Sequence, residues 1–411
     1  MAWADTDVQD ILFLAHRMPF PPNRGDKIRS HHLLKGLARI GKVHVGTFAE
    51  NADDMAQESV LEGIAKSYIL ENRHKPLPLA GLEAIVRRKP VSLTAFDDST
   101  LRRWVTDTIA EHAIETIFIF SGQMGQYVPP DFDGRIIVDL CDVDSAKFEA
   151  YAVDGQRAWL NRREAKLLSV EERRLARRAD TTLLISREEA DLFRRRSGLG
   201  DSDGVKVLAN GVDAEHFHPS STAPHPALEP AIAHFVFTGQ MDYAPNIDAV
   251  VRFAKFIFPE VRRRIDAEFH IVGRAPSEAV VALDGLDGVS VWGEVPDMRP
   301  FLRGATAVVA PLEIARGVQN KVLEAMAMAR PVLLTPEAAT GIDAENGKHF
   351  LIRETDRDFA DTAVELATQR GLGDSIGDAA RTFVLECMSW ESVYAELAEI
   401  VDTGQGSSHA N

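Results

Sequence analysis

The stretch from Ala310 to Thr335, APLEIARGVQNKVLEAMAMARPVLLT, decides how this chain is read. Ala307–Pro311 is apolar and predicts a strand, and the loop after it carries Arg316 and Gly317. A helix is predicted from about Gln319, with Lys321 and Glu324 in its first turns, and Pro331–Leu334 predicts the next strand. A glycine at the mouth of a helix lets a ligand approach backbone N–H groups closely. The helix N-terminus favours anions, and a lysine there adds a mobile positive charge. A carboxylate one turn further accepts hydrogen bonds from hydroxyls, such as those of a ribose. Together these parts suit a sugar attached to a diphosphate.

Outward from this stretch, short apolar runs alternate with helical patterns, the mark of an α/β chain. Strands are predicted at Ile11–Ala15, Val43–Phe48, Ser67–Leu70, Thr116–Phe120, Ile136–Leu140, Thr182–Ile185 and Val205–Leu208. In the second half they are predicted at His234–Thr238, Glu268–Val272, Val289–Trp292, Ala307–Ala310, Val332–Leu334 and His349–Ile352. Several are unbroken apolar runs, as in parallel strands buried on both faces. Pro219–Pro230, PSSTAPHPALEP, has no apolar period and reads as a linker.

With 411 residues the chain is long enough for two domains. Its 45% hydrophobic content is that of a globular protein, and no apolar run reaches the length of a membrane span. No basic region followed by an apolar one opens the chain, so no signal peptide is expected. Cys141 and Cys387 match no metal spacing and are expected as buried free thiols of a reducing cytoplasm. A net charge of −16 argues against general nucleic-acid binding. There is no GxxxxGK[ST], HExxH, GxSxG or CxxC, and no glycine fingerprint follows the first strand, which argues against an NAD enzyme.

Other candidate positions lie at the ends of predicted strands. In the first loop Arg24, Gly25, Lys27 and Arg29 gather at a helix start. Cations are unfavourable there, so an anion or a nearby carboxylate is expected to compensate. Gly239 and Gln240 follow one strand and Gly273 and Arg274 another; Arg274 suits either a phosphate fork or a rim salt bridge. Asp139, Asp142 and Asp144 resemble a metal-binding cluster but more often such groups cap a helix; Asp142 and Asp144 are assigned to the acceptor side and no metal is assigned. Trp159–Ala179 predicts a long helix with Arg162, Arg163, Arg173, Arg174, Arg177 and Arg178, a face suited to anionic lipid or to intrahelical salt bridges.

Five features resemble a family-4-type glycosyltransferase of GT-B architecture: the first loop with Arg24-Gly25 and Arg29, the ANGVD turn with Phe217, FTGQMDYAPN, HIVGRAP with VWGEVPD, and RGVQNKVLEAMAMARPVLLT. GVQNKVLEAMA with DVDSAK is most similar to sugar transferases of bacterial exopolysaccharide loci associated with exosortase (PEP-CTERM) systems. The resemblance implies two Rossmann-like domains whose parallel sheets face a central cleft. The divisions expected are an acceptor-side domain over 1–215, a linker over 216–232, a nucleotide-sugar domain over 233–385, a helix over 386–403 returning to the N-terminal domain, and a disordered tail over 404–411.

By position, the resemblance puts Lys321 on the diphosphate, Glu324 on the ribose, Gly25 in a loop closing on phosphate, and Arg274 near the base or ribose. The donor-binding set is Gly25, Arg29, Gly239, Gln240, Arg274, Arg316, Gly317, Lys321 and Glu324. It also implies transfer with retention, without metal or cofactor beyond the sugar nucleotide, in the cytoplasm or peripherally on the inner face of the membrane. Two departures stand out. Arg316 occupies a place where relatives carry a sugar-contacting glutamate, and Gln240 follows Gly239 where an arginine is common. A sugar-nucleotide epimerase and a non-catalytic sugar-nucleotide binder are the alternatives on the same architecture.

Overall fold

The computed structural model describes residues 9–402 except 23, 74, 153–157, 201–203 and 316, and at residue 370 the backbone alone. The expected tail over 404–411 and Arg316 therefore lie outside the described residues. The chain forms two compact units, one running through Ala209 and resuming at Tyr394, the other Asn210–Val393.

The first unit holds seven parallel strands: β1 (Asp10–Ala15), β2 (Lys42–Ala49), β3 (Ser67–Asn72), β4 (Thr116–Phe120), β5 (Arg135–Cys141), β6 (Thr181–Leu184) and β7 (Val205–Val207). Their order is β3-β2-β1-β4-β5-β6-β7. The second holds six: β8 (Ala233–Thr238), β9 (Ala267–Val272), β10 (Val289–Gly293), β11 (Ala307–Ala310), β12 (Val332–Leu334) and β13 (Leu351–Ile352), in the order β10-β9-β8-β11-β12-β13. Every expected strand is present with ends moved by a residue or two, and the expected α/β class with two parallel sheets holds. The unbroken apolar runs have the reason expected. Ile11 to Ala15 are all wholly buried, so both faces of the strand are covered, and Ile11 is in register with Val43 and Thr116.

In each sheet the strand order reverses about the first strand of the unit. β1 lies between β2 and β4, and β8 between β9 and β11. Outside the carboxyl ends at such a reversal the loops part in opposite directions and leave a crevice. The Gly25 loop follows β1, and the loops of Gly239 and Gly317 follow β8 and β11.

The division between units falls a few residues before the expected one, and the proline-rich stretch is not a free linker. Leu228 is buried against Gly304, the His225 ring stacks on Phe301 at 4.2 Å, and the His225 N–H donates to the Pro300 carbonyl at 3.0 Å. Leu228 and His225 thus hold an irregular strap onto the rest of the second unit. From Tyr394 the final helix, Trp390–Asp402, belongs to the first unit. The Tyr394 hydroxyl lies 2.6 Å from His32 Nδ1, the Arg39 guanidinium sits 4.4 Å over the Tyr394 ring, and Arg135 donates to the Ile400 carbonyl at 2.7 Å. The cysteine expectation fails on burial. Cys387 is exposed and Cys141 half-buried, because Val384 and Met388 take the inward positions of the turn that carries Cys387.

Arg29 is the largest wholly buried side chain of the first unit. Its Nε and Nη2 meet Asp139 Oδ2 at 2.9 and 2.8 Å, and Nη2 also donates to the Leu208 carbonyl at 2.8 Å. Asp139 is also wholly buried, and its Oδ1 accepts the Cys141 N–H at 2.9 Å. The pair ties the first helix, Gly25–Ile40, to β5 and to the end of β7. Asp139→Ala leaves a guanidinium buried without its counter-charge and is expected to cost about 3–5 kcal/mol in chemical denaturation, while Arg29→Met with Asp139→Leu costs clearly less. Equal losses for the single and double variants would contradict a structural pair.

Candidate active site

In the second unit the site is built at the carboxyl ends of β8, β9 and β11. Gly239 and Gly273 end β8 and β9, and the Gly239 N–H donates to the Val272 carbonyl at 3.1 Å. A side chain at Gly273 would run into the Gly239 carbonyl, and one at Gly239 would come within 3.0 Å of Lys321 Nζ. Glycines are therefore required here by the closeness of backbone to backbone and of backbone to a cation.

Lys321 lies in the first turn of the helix Asn320–Ala327. It is 9% exposed, its Nζ donates to Asn246 Oδ1 at 2.6 Å, and it stands 4.1 Å from the centre of the Phe237 ring. Both neighbours are neutral. Burial pulls the Lys321 ammonium down to about 7, against the attraction of Glu324. The Glu324 carboxylate makes no hydrogen bond or salt bridge among the described residues. Burial pushes its carboxyl up to about 7, opposed by Lys321. The helix start adds to the positive field, since its first amides have no intrahelical partner and Gln319 provides no side-chain cap. Gln319 instead donates to the Gly317 carbonyl at 3.0 Å, bracing the loop, and Gly317 takes a positive φ of 65°.

Asn246 escaped the sequence reading. Its Nδ2 donates to the Gln240 carbonyl at 2.8 Å while its Oδ1 holds Lys321, so one amide spans both loops. Arg274 Nη2 donates to Gln240 Oε1 at 3.0 Å, which keeps two exposed side chains together beside the glycines. The structure thus groups Gly239, Gln240, Arg274 and Lys321, with Gly317 and Glu324 on the same loop and helix. Two concavities of this unit, of about 560 and 680 Å³, are lined by other residues, the first at the amino ends of β8 and β12.

In the first unit the basic cluster is compensated from within. Arg24 pairs with Asp26 at 2.9 Å and Glu50 at 2.8 Å, Arg17 meets the same two carboxylates at 2.7 and 2.9 Å, and Lys27 pairs with Asp54 at 2.5 Å. A carboxylate is one of the two compensators expected. Arg29, expected on the donor, is corrected to the buried pair with Asp139, so its guanidinium has no face to offer a ligand. Gly25 opens the helix with open space around it. At the end of β1, His16 was also missed. It is buried and pulled down to about 3, chiefly by burial. Arg17 donates to its Nε2 at 3.0 Å, which leaves an Nδ1–H that has no partner.

Asp142 and Asp144 share Lys147 at 2.7 and 3.3 Å and line a cavity of only about 10 Å³. Asp139 is committed to Arg29, so the three aspartates are not a joint ligand set. His234, Glu268 and His270 do converge, but as a hydrogen-bonded chain. Trp292 donates to His270 Nδ1 at 3.2 Å, His270 and His234 share a 3.0 Å contact, and His234 Nε2 reaches the Glu229 carbonyl at 2.8 Å. Because Trp292 can only donate, His270 must carry its proton on Nε2, the nitrogen a metal would need.

Residues 233–369 match the family model described as glycosyl transferases group 1. This stretch of the second unit is thus similar to the group 1 glycosyl transferases. The whole chain has the GT-B fold of solved glycosyltransferase structures. Sucrose-phosphate synthase from Thermosynechococcus elongatus superposes with a TM-score of 0.61 at 15% identity, covering 97% of this chain and 100% of that one. HepE of Anabaena in complex with UDP and glucose gives 0.61 at 14%, covering 97% and 100%. A glycosyltransferase from Rickettsia africae gives 0.62 at 13%, also covering 97% and 100%. No curated protein matches the chain in sequence.

The two groups near neutrality set a pH dependence. A diphosphate favours the charged lysine, so above about pH 7 binding must draw in a proton and affinity falls by up to about tenfold per unit. Below about pH 7 Glu324 takes up a proton and loses acceptor capacity. Calorimetric titration with a nucleoside diphosphate is expected to show affinity peaking near neutrality, with the alkaline fall abolished in Lys321→Met. An alkaline fall of the same slope in that variant would contradict the assignment.

Proposed function

We propose that the chain is a retaining, metal-independent glycosyltransferase that moves a sugar from a nucleotide-diphosphate sugar to a lipid-linked or glycan acceptor. The observation that carries this is the buried Lys321 ammonium, held by neutral Asn246 at an uncapped helix start inside the stretch that matches the group 1 glycosyl transferases. A UDP-sugar is the donor to try first, since HepE was solved with UDP and glucose. The product is an exopolysaccharide or cell-envelope glycan, of the kind made by exosortase-associated loci. The chain works in the cytoplasm, peripherally on the inner face of the membrane.

In this reading Lys321 meets the diphosphate and Glu324 accepts from the ribose hydroxyls, while Gly239 and Gly317 let the donor approach the backbone. Gln240 and Arg274 flank it. The acceptor hydroxyl oxygen attacks the anomeric carbon as the bond from that carbon to the β-phosphate oxygen breaks. Negative charge gathers on the departing phosphate, which takes the acceptor proton on the same face. Lys321 and the helix start stabilise that charge, and they are organised before the reaction begins. No protein general base is required.

The test is product analysis with labelled donor in the presence of a chelator. Transfer to acceptor is expected; epimerised donor alone, or binding without turnover, would replace the proposal with one of its alternatives. Lys321→Ala should lower the turnover about 10²–10³-fold with melting unchanged, the cost of one preorganised charge. Turnover within about threefold of the unaltered protein would remove Lys321 from the mechanism.

A further inference from the structure

The arginines first considered for lipid contact are largely occupied. Arg163 donates to the Ala84 and Lys89 carbonyls at 2.6 and 3.1 Å, Arg174 pairs with Glu171, and Arg178 donates to the Val128 and Pro129 carbonyls. What Arg163 holds is more informative. The helix Leu77–Arg87 buries only Ala80 and Ala84, and turns Leu77, Leu79, Leu82, Ile85 and Val86 outward, Leu82 at 62% and Val86 at 76% exposure. Its amphipathic pattern is inverted: small side chains face the unit and large apolar ones face away.

The helix is firmly seated in this orientation. Thr94 donates to the Ala80 carbonyl at 2.9 Å, and Lys75 ties Glu83 down at 3.0 Å while also donating to the Thr94 and Asp97 carbonyls. The outward leucines are thus a property of the folded unit. Contiguous exposed apolar surface of this kind marks an interaction site.

The charges beside it say which kind. Arg88 and Lys89 follow the helix directly, are exposed, and form no ion pair among the described residues. On the helix Ala158–Arg178, whose Arg163 grips the end of the leucine helix, Arg162 and Lys166 are likewise exposed and unpaired among the described residues. One turn before Arg163, Trp159 is 63% exposed. The nearest carboxylate of the leucine helix, Glu83, is neutralised by Lys75 and Arg87. In a chain of net charge −16, two copies repel each other, and an anionic surface is tolerated only where free cations collect.

We propose that the Leu77–Arg87 helix is a docking surface for anionic phospholipid. Its leucines, Ile85 and Val86 enter the interfacial layer of the bilayer, Trp159 lies at headgroup level, and Arg88, Lys89, Arg162 and Lys166 meet the phosphates. This deepens the peripheral-membrane part of the proposed function, and it stands or falls without any transfer reaction.

The test is sedimentation of the full chain with vesicles of phosphatidylcholine alone, or mixed with phosphatidylglycerol, without donor or acceptor. The chain is expected to partition onto the mixed vesicles at least about tenfold more than onto the neutral ones, and added salt should reverse the excess. Leu82→Glu with Val86→Glu should abolish partitioning with unchanged melting, since both residues are exposed. Arg88→Glu with Lys89→Glu should remove the anionic preference. A chain that stays in solution with both vesicle types would overturn the proposal. So would equal partitioning by the leucine variant, or an oligomer in gel filtration that this variant dissolves, which would make the face a protein interface.

Discussion

A charge taken out of water needs a partner, and this chain meets that requirement differently in its two units. In the first, the two buried cations at the Gly25–Ile40 helix have carboxylates, Arg29 with Asp139 and Lys27 with Asp54, and beside them the half-buried Arg17 and the exposed Arg24 share Asp26 and Glu50. In the second, Lys321 is given only an amide oxygen and an aromatic face, with Glu324 acting on it through space. Such an ammonium is held at a cost, and its ionisation is drawn down toward neutrality. An arriving diphosphate supplies the missing counter-charge. Fold, loop glycines and helix start all serve to keep that one position available.

The geometry around it follows from topology more than from any single contact. Parallel order forces every strand's carboxyl end to one edge, and the reversal between β8 and β11 opens that edge where Gly239 and the Asn320–Ala327 helix meet. Backbone approaches so closely between β8 and β9 that Gly273 has no room for a side chain. Asn246 then converts proximity into register, since its two amide atoms hold one loop's backbone and the other helix's lysine.

Local pattern carried the strands, the helix at Lys321 and the final helix, because burial on both faces and helix-start chemistry are written in consecutive residues. Charge pairing was not legible. Arg29 and Asp139 are 110 positions apart, and nothing near Arg29 distinguishes a buried ion pair from a ligand contact. Asn246 lies 75 positions from Lys321, on a helix whose own pattern explains it without a partner. The proline-rich strap was misread for a similar reason: low periodicity signals the absence of regular structure, whereas Leu228 and His225 show that irregular chain is still able to pack. For the Leu77–Arg87 helix, periodicity identifies an apolar face without saying whether that face points in.

A donor site at Lys321 is tested most directly by a crystal structure with a nucleoside diphosphate bound. It predicts a β-phosphate oxygen about 2.7–3.2 Å from Lys321 Nζ, with the ribose hydroxyls donating to Glu324. A diphosphate bound elsewhere in the chain, with Lys321 still held by Asn246 alone, would contradict it.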